Sequence, residues 1–227
     1  MSDTLAVLRP EPGNTATSER IEALGFRVIR LPLFGIRALE WTPPDPADHD
    51  ALLLTSASAI RFGGPGLAVL QHLPVLAVGP TTAQIARAAG FDVLAAGDVD
   101  AAALIALAAA RGISRALHLA GRHRTLEAGG PVSRIIPVYA SEDAPISEAQ
   151  IESLRGSVAL LHSARAARRL GALADQHGVP RSSIGIAALS LAVAAAAGPG
   201  WSAIATATAP TEAALIAAVG DGARACD

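Results

Sequence analysis

The chain has 227 residues, 51% apolar and 17% charged, with a formal net charge of −2. That composition supports a packed core, and the slight acidity with only 3% aromatics excludes the basic, stacking surface of a nucleic-acid binder. All 18 cationic side chains are arginine, so a lysine Schiff base and a P-loop lysine are both excluded.

The length fits one large or two small domains. The single cysteine, Cys226, permits no internal disulfide and no thiolate metal site, and its place beside the C-terminus suits no nucleophile. Residues 1–8 lack the basic and long apolar regions of a signal peptide, and the longest apolar stretches are too short or too broken to span a bilayer. The expectation is a soluble, cytoplasmic protein without membrane or nucleic-acid partners.

In chain order, the apolar run at 5–8 ends at Arg9, Pro10, Glu11, Pro12 and Gly13, which reads as a strand followed by a loop. Residues 15–24 read as a helix stopped by Gly25, and 26–31 as a second strand. Further apolar runs lie at 51–54, 75–78, 116–119, 158–161 and 184–188, each followed by a small or polar turn and a helix-like stretch. Alternation of buried strands with helices predicts an α/β fold with doubly wound parallel sheets.

The pattern also repeats. ALLLTSASAIR at 51–61 is similar to VALLHSARAAR at 158–168, and VLAVGPTTAQIARAAGF at 75–91 to IGIAALSLAVAAAAGPGW at 184–201. DVDAAALIALA at 98–108 matches TAPTEAALIAAV at 208–219, and LAVLRPEPG at 5–13 faces the weaker ALHLAGRHR at 116–124. The order is kept at offsets between 107 and 111 residues, which favours two similar α/β domains of about a hundred residues each over one long sheet.

Two alike domains imply a ligand cleft between them, lined by loops at the carboxyl ends of strands. Those loops hold Arg9, Thr55 to Ser58, Gly79 to Thr82, Gly121 to Thr125, His162 to Arg165, and Ser190. Thr55, Ser56, Ser58, Thr81 and Thr82 each also suit a helix N-cap. With Arg9, Arg122, Arg124 and Arg165 they form a candidate anion-binding rim, where each charge-assisted bond contributes about 1.5–3 kcal/mol. Arg168 and Arg169 read as solvated helix surface, and His123 and His162 as local polar contacts. No GxGxxG, HExxH or GxSxG is present, so dinucleotide, metal and serine-hydrolase chemistry find no motif.

The residues that remain resemble the uroporphyrinogen-III synthase family over nearly the whole length. They include Arg9 and Pro10 after the first strand, EALGFRVIRLPL at 22–33, DALLLTSASAIR at 50–61 and AVGPTTAQIARAAGFDV at 77–93. LHLAGRHR at 117–124, IIPVYAS at 135–141 and TAPTEAALIAAV at 208–219 complete the series. The resemblance implies two flavodoxin-like parallel-sheet domains joined by a two-stranded connector. Domain one would comprise 1–33 plus 141–227 and domain two 36–137, with connectors near 31–36 and 137–141, where Pro32 and Pro137 suit stiff, edge-like strands.

The implied reaction is cyclisation of hydroxymethylbilane with inversion of the last ring and loss of water, a hydro-lyase step in tetrapyrrole synthesis that needs no cofactor. The resemblance assigns Tyr139 to assist hydroxyl departure, with a packing role at the connector as the alternative. Thr55, Ser56, Ser58, Gly79, Thr81, Thr82, Ser163 and Ser190 would bind acetate and propionate groups, beside Arg9, Gly121, Arg122 and Arg165. The family's threonine–serine pair is here His162 and Ser163, and its late hydroxyl-rich turn is reduced to Ala188, Leu189 and Ser190. The implied protein is a monomer that meets the preceding deaminase transiently. The alternative function is a non-catalytic two-domain binding protein for a small anionic metabolite.

Overall fold

Strands buried on both faces need apolar residues at every position, and the runs at 51–54, 116–119 and 184–188 meet that need. The computed structural model describes residues 3–97, 101–124 and 126–221, so Thr125 and Cys226 lie outside the described residues. The first elements are β1 (Thr4–Val7), α1 (Gly13–Ala23), β2 (Arg27–Arg30) and β3 (Phe34–Ala38). Next come β4 (Ala51–Leu54), α2 (Ser58–Phe62), β5 (Val75–Val78), α3 (Pro80–Ala88), β6 (Val93–Gly97), α4 (Ala101–Ala110) and β7 (Ala116–Gly121). The long β8 (Val132–Asp143) leads into α5 (Glu148–Glu152), β9 (Val158–Leu161), α6 (Ala164–Gln176) and β10 (Gly185–Ala188). The last are α7 (Leu191–Ala197), β11 (Ala203–Thr206) and α8 (Glu212–Asp221).

These elements form two units, Met1–Gly35 with Asp143–Asp227, and Ile36–Glu142. The first unit holds a five-stranded sheet ordered β11-β10-β9-β1-β2, parallel throughout, which is the flavodoxin-like order. Leu5 and Val7 point to the α1 and α8 side with Ile21 and Leu215, while Ala6 and Leu8 point to the α6 and α7 side with Leu170 and Val193. This alternation is the two-residue period of a strand covered on both faces.

The second unit holds a six-stranded sheet ordered β3-β8-β7-β4-β5-β6, with β4 to β8 parallel. Leu52 and Leu54 face one core with Ala83 and Ala86 of α3, and Leu53 faces the other with Leu104 and Ala108 of α4. Leu52, Leu53 and Leu54 are fully buried, and each contributes about 1.5–3 kcal/mol.

The sequence repeat maps onto equivalent strands. β7, β4 and β5 hold the places in the second sheet that β1, β9 and β10 hold in the first. The units are not consecutive halves of the chain, however. The first is interrupted by the second, whose strands run in permuted order, so the offset repeat marks equivalent positions rather than tandem domains.

The chain passes between the units along β3 and β8, which are neighbours in the second sheet. Bonds from Leu39 N–H to Val138 O and from Ala144 N–H to Leu33 O lie on one antiparallel diagonal. Pro137 departs from the edge-like expectation, because β8 lies between β3 and β7. Proline has no N–H for the ladder, and the register shifts beside it, between Ala120 and Gly121.

Candidate functional site

β4 and β7 are adjacent and parallel, with Leu53 opposite His118. Two residues further, Thr55 returns to the same face as Leu53, and its Oγ1 lies 3.1 Å from His118 Nε2. Both side chains line a cavity of about 300 Å³ in the second unit, together with Ser56, Gly121, Arg124 and Tyr139. His118 is fully buried, and among the described residues its Nδ1 has no hydrogen-bond partner. Burial first, and the Arg124 charge second, push its pKa down to about 4, so the ring is neutral at pH 7.

Tyr139 lies opposite Gly121 in the β7–β8 ladder. A Cβ on residue 121 would stand 2.9 Å from the Tyr139 ring, so only glycine lets the ring lie there. The ring also packs on Phe62, with centroids 6.5 Å apart and planes tilted by 37°. Among the described residues, none hydrogen-bonds the Tyr139 hydroxyl.

The expected N-caps differ in part. Gly79, at φ +76°, and Ala57 occupy the N-cap positions of α3 and α2, and neither helix has a side-chain cap. Thr81 is exposed in the first turn of α3, Thr82 is buried in its core face, and neither lines the cavity. Ser56 Oγ accepts from Ser58 N–H at 3.2 Å, closing a local turn, and the Ser58 side chain is buried. Arg122 pairs with Glu142 at 3.2 Å, and Glu142 also takes a bidentate bond from Arg37 at 2.6 and 2.7 Å. These two arginines hold the Glu142 carboxyl below the usual range, the Arg37 bond being the larger cause.

In the first unit, Ser163 and Ser190 are N-caps. Ser163 Oγ accepts from Ala166 N–H at 3.2 Å and Ser190 Oγ from Val193 N–H at 3.4 Å. Arg9 reaches Glu212 at 3.3 Å, and Arg20 and Thr17 bond the same carboxylate. Burial, then the Arg20 charge, lowers the Arg9 pKa. His162 Nε2 stands 3.8 Å from Glu212, yet burial, then the Arg9 charge, push this ring to about 4, so at pH 7 it forms no ion pair.

Arg165 pairs with Asp143 at 3.0 Å and stacks 4.1 Å over Phe34. Arg169 is not the solvated side chain its sequence position suggests. It donates to Leu33 O at 3.0 Å and also bonds Ala144 O and the Asp143 carboxylate, because α6 packs beside the first unit's chain at Leu33 and Ala144. Of the expected site residues, Thr55, Ser56, Gly121 and Tyr139 therefore share one cavity, while Arg9, Arg122 and Arg165 are each engaged by a carboxylate.

The family model for uroporphyrinogen-III synthase HemD matches residues 15–217. The chain belongs to the HemD family. Among solved structures, the HemD-family chain is similar to uroporphyrinogen-III synthetase from Helicobacter pylori 26695, with a TM-score of 0.64 and 16% identity over 97% of this chain and 99% of that one. It is also similar to a mutant uroporphyrinogen III synthase from the extremely thermophilic bacterium Thermus thermophilus, with a TM-score of 0.49 and 15% identity over 98% and 99%. A comparison with curated proteins by sequence finds no match.

Sequence reasoning missed Val78, Leu126 and, the one polar side chain among the three, His118 of this HemD-family cavity. The available signal was a histidine inside the apolar strand ALHLAG, a position where a polar ring needs a partner. Among the described residues no group of three His, Cys, Asp or Glu side chains could hold a metal ion, and no helix is long and apolar enough to cross a membrane.

Proposed function

We propose that this HemD-family protein converts hydroxymethylbilane to uroporphyrinogen III, releasing one water. The observation that carries the reading is the cavity where Tyr139, Thr55 and Ser56 converge in a chain matched to the family over residues 15–217. The substrate has eight carboxylates and a terminal hydroxymethyl group. Its C–O bond breaks as a pyrrole nitrogen donates its electron pair, and the hydroxyl leaves with a proton as water. The resulting azafulvene carbon is attacked by the substituted α-carbon of the last ring. The spiro intermediate then breaks and recloses with that ring inverted, and no net oxidation or reduction occurs.

The substrate supplies the reactivity, so the protein's task is positioning. Phenols are weak acids, and the role assigned to Tyr139 is a hydrogen bond to the departing oxygen. Thr55 and Ser56 would hold substrate carboxylates. With the cation of Arg124 on the cavity rim, this supports an anionic ligand.

The test couples the purified protein to a deaminase that generates hydroxymethylbilane, oxidises the products and separates isomers. The type III isomer is expected. Type I alone, the product of unassisted closure, overturns the reading and leaves a binding protein for an anionic metabolite.

A further inference from the structure

A neutral imidazole carries one proton, and where it sits dictates what its neighbour can do. His118 Nε2 faces Thr55 Oγ1 at 3.1 Å, and His118 Nδ1 is buried without a partner among the described residues. One tautomer donates from Nε2–H to Thr55 Oγ1 and leaves a buried lone pair on Nδ1. The other accepts the Thr55 proton at Nε2 and leaves an orphaned N–H at Nδ1. Buried orphan N–H groups are the rarer kind in folded proteins, so the first arrangement is favoured.

We propose that His118 is a positioning residue that holds Thr55 as a hydrogen-bond donor, so that this part of the cavity takes a carboxylate oxygen and rejects an N–H group. The inference rests on the cavity being the tetrapyrrole site and adds what selects the group bound there. With Nε2–H donating, one Thr55 lone pair is occupied and its proton is left for an acceptor. No other described residue takes that proton. Among the described residues, the titratable and charged groups around the ring are Arg124 and His123 from the loop after β7 and Tyr139 from β8, while the turn after β4 contributes Thr55 and β5 contributes Val78. A ligand anion there meets the Thr55 hydroxyl and the Arg124 charge with no carboxylate competing in the cavity lining.

Long-range ¹H–¹⁵N spectra of the full chain labelled in histidine test the tautomer without any ligand. At pH 7 the His118 ring is expected to be neutral with its proton on Nε2; a proton on Nδ1, or a charged ring, overturns the proposal. Calorimetry with uroporphyrin III as the probe then compares variants. His118→Leu removes the donor and should weaken binding by about ten- to a hundredfold, the range for a hydrogen bond to a charged group. His118→Gln restores an N–H donor near Nε2 and should recover affinity to within about threefold. Thr55→Ala added to His118→Leu should cost nothing further, whereas additive losses would mean that the two residues act independently and would sink the proposal. If His118→Leu does not fold, the wild-type tautomer and His118→Gln still decide. Failure to form the type III isomer in wild-type protein would instead remove the cyclisation reading and leave the tautomer result standing.

Discussion

Gly121 and Tyr139 share one volume: a Cβ on residue 121 would lie 2.9 Å from ring carbons of Tyr139 and 3.0 Å from its hydroxyl oxygen. The φ of Gly121 is not in the left-handed region, so alanine there is opposed by contact with the ring and not by backbone strain. Gly121→Ala is expected to displace Tyr139 and cost about 1–3 kcal/mol, as overpacked sites do. Turnover should fall further than stability, as followed by thermal unfolding alongside the coupled isomer assay. An unchanged turnover would mean that the ring's position is immaterial to the chemistry.

Removing only the hydroxyl separates chemistry from packing. Tyr139→Phe keeps the contacts with Phe62 and Gly121 while deleting the hydroxyl proposed to bond the departing oxygen. Turnover should drop by about ten- to a hundredfold with little change in product affinity, the loss expected of an interaction made mainly in the transition state. Equal losses in both would reassign Tyr139 to binding or to packing at the connector.

The cavity hydroxyls carry a separate expectation. Thr55→Ala combined with Ser56→Ala should weaken uroporphyrin binding in calorimetry by more than about a hundredfold, since two charge-assisted bonds of about 1.5–3 kcal/mol each are lost. Unaltered affinity would place the ligand elsewhere. Thr81→Ala serves as the contrast, because Thr81 is exposed on α3 and lies outside the lining, and it should have no effect.

The strands were legible because burial on both faces leaves an unbroken apolar run, as at Leu52, Leu53 and Leu54. The loops that follow them were legible for the same reason, which is why Thr55 and Ser56 were recognised. Hydroxyl roles were not, because a helix N-terminus can be served by a serine, as Ser163 serves α6, or by a glycine turn, as Gly79 serves α3. Arginine partners were also hidden. Arg9 meets Glu212 across more than 200 residues of chain, and Arg169 meets backbone carbonyls that carry no sequence signal. The repeat alone did not give the permuted order of the second unit, since similarity at a fixed offset does not say which strands share a sheet; the discontinuous layout came with the family resemblance.

Arg169 ties α6 to the chain at Leu33, Asp143 and Ala144 within the first unit. Its side chain is only 17% exposed, and its donors serve Leu33 O, Ala144 O and Asp143. Arg169→Ala takes a donor from Ala144 O, while Leu33 O keeps its bond from Ala144 N–H and Asp143 keeps Arg165, and a loss of about 1–3 kcal/mol in chemical denaturation is expected. Arg168→Ala, one residue away on the exposed side of the same helix, should change stability by less than about 0.5 kcal/mol. Similar effects from the two would show that the Arg169 bonds are not made in solution.

Acid should weaken this fold through two histidines, one in each unit. His118 and His162 titrate near 4 when folded and near the ordinary 6.5 when unfolded, burial being the main cause for both. Between those values the unfolded chain binds more protons than the folded one, so stability rises with pH across the window and is fully present above 6.5. It is lost progressively as pH falls toward 4, each group contributing up to about 1.4 kcal/mol per pH unit. Denaturant titrations at pH 7, 6, 5 and 4.5 should therefore show a falling midpoint. The double variant His118→Gln and His162→Gln should flatten the curve in that interval, because neither side chain then takes up a proton on unfolding. A slope unchanged in the double variant would assign the acid sensitivity to other groups and would require both rings to titrate normally in the folded protein.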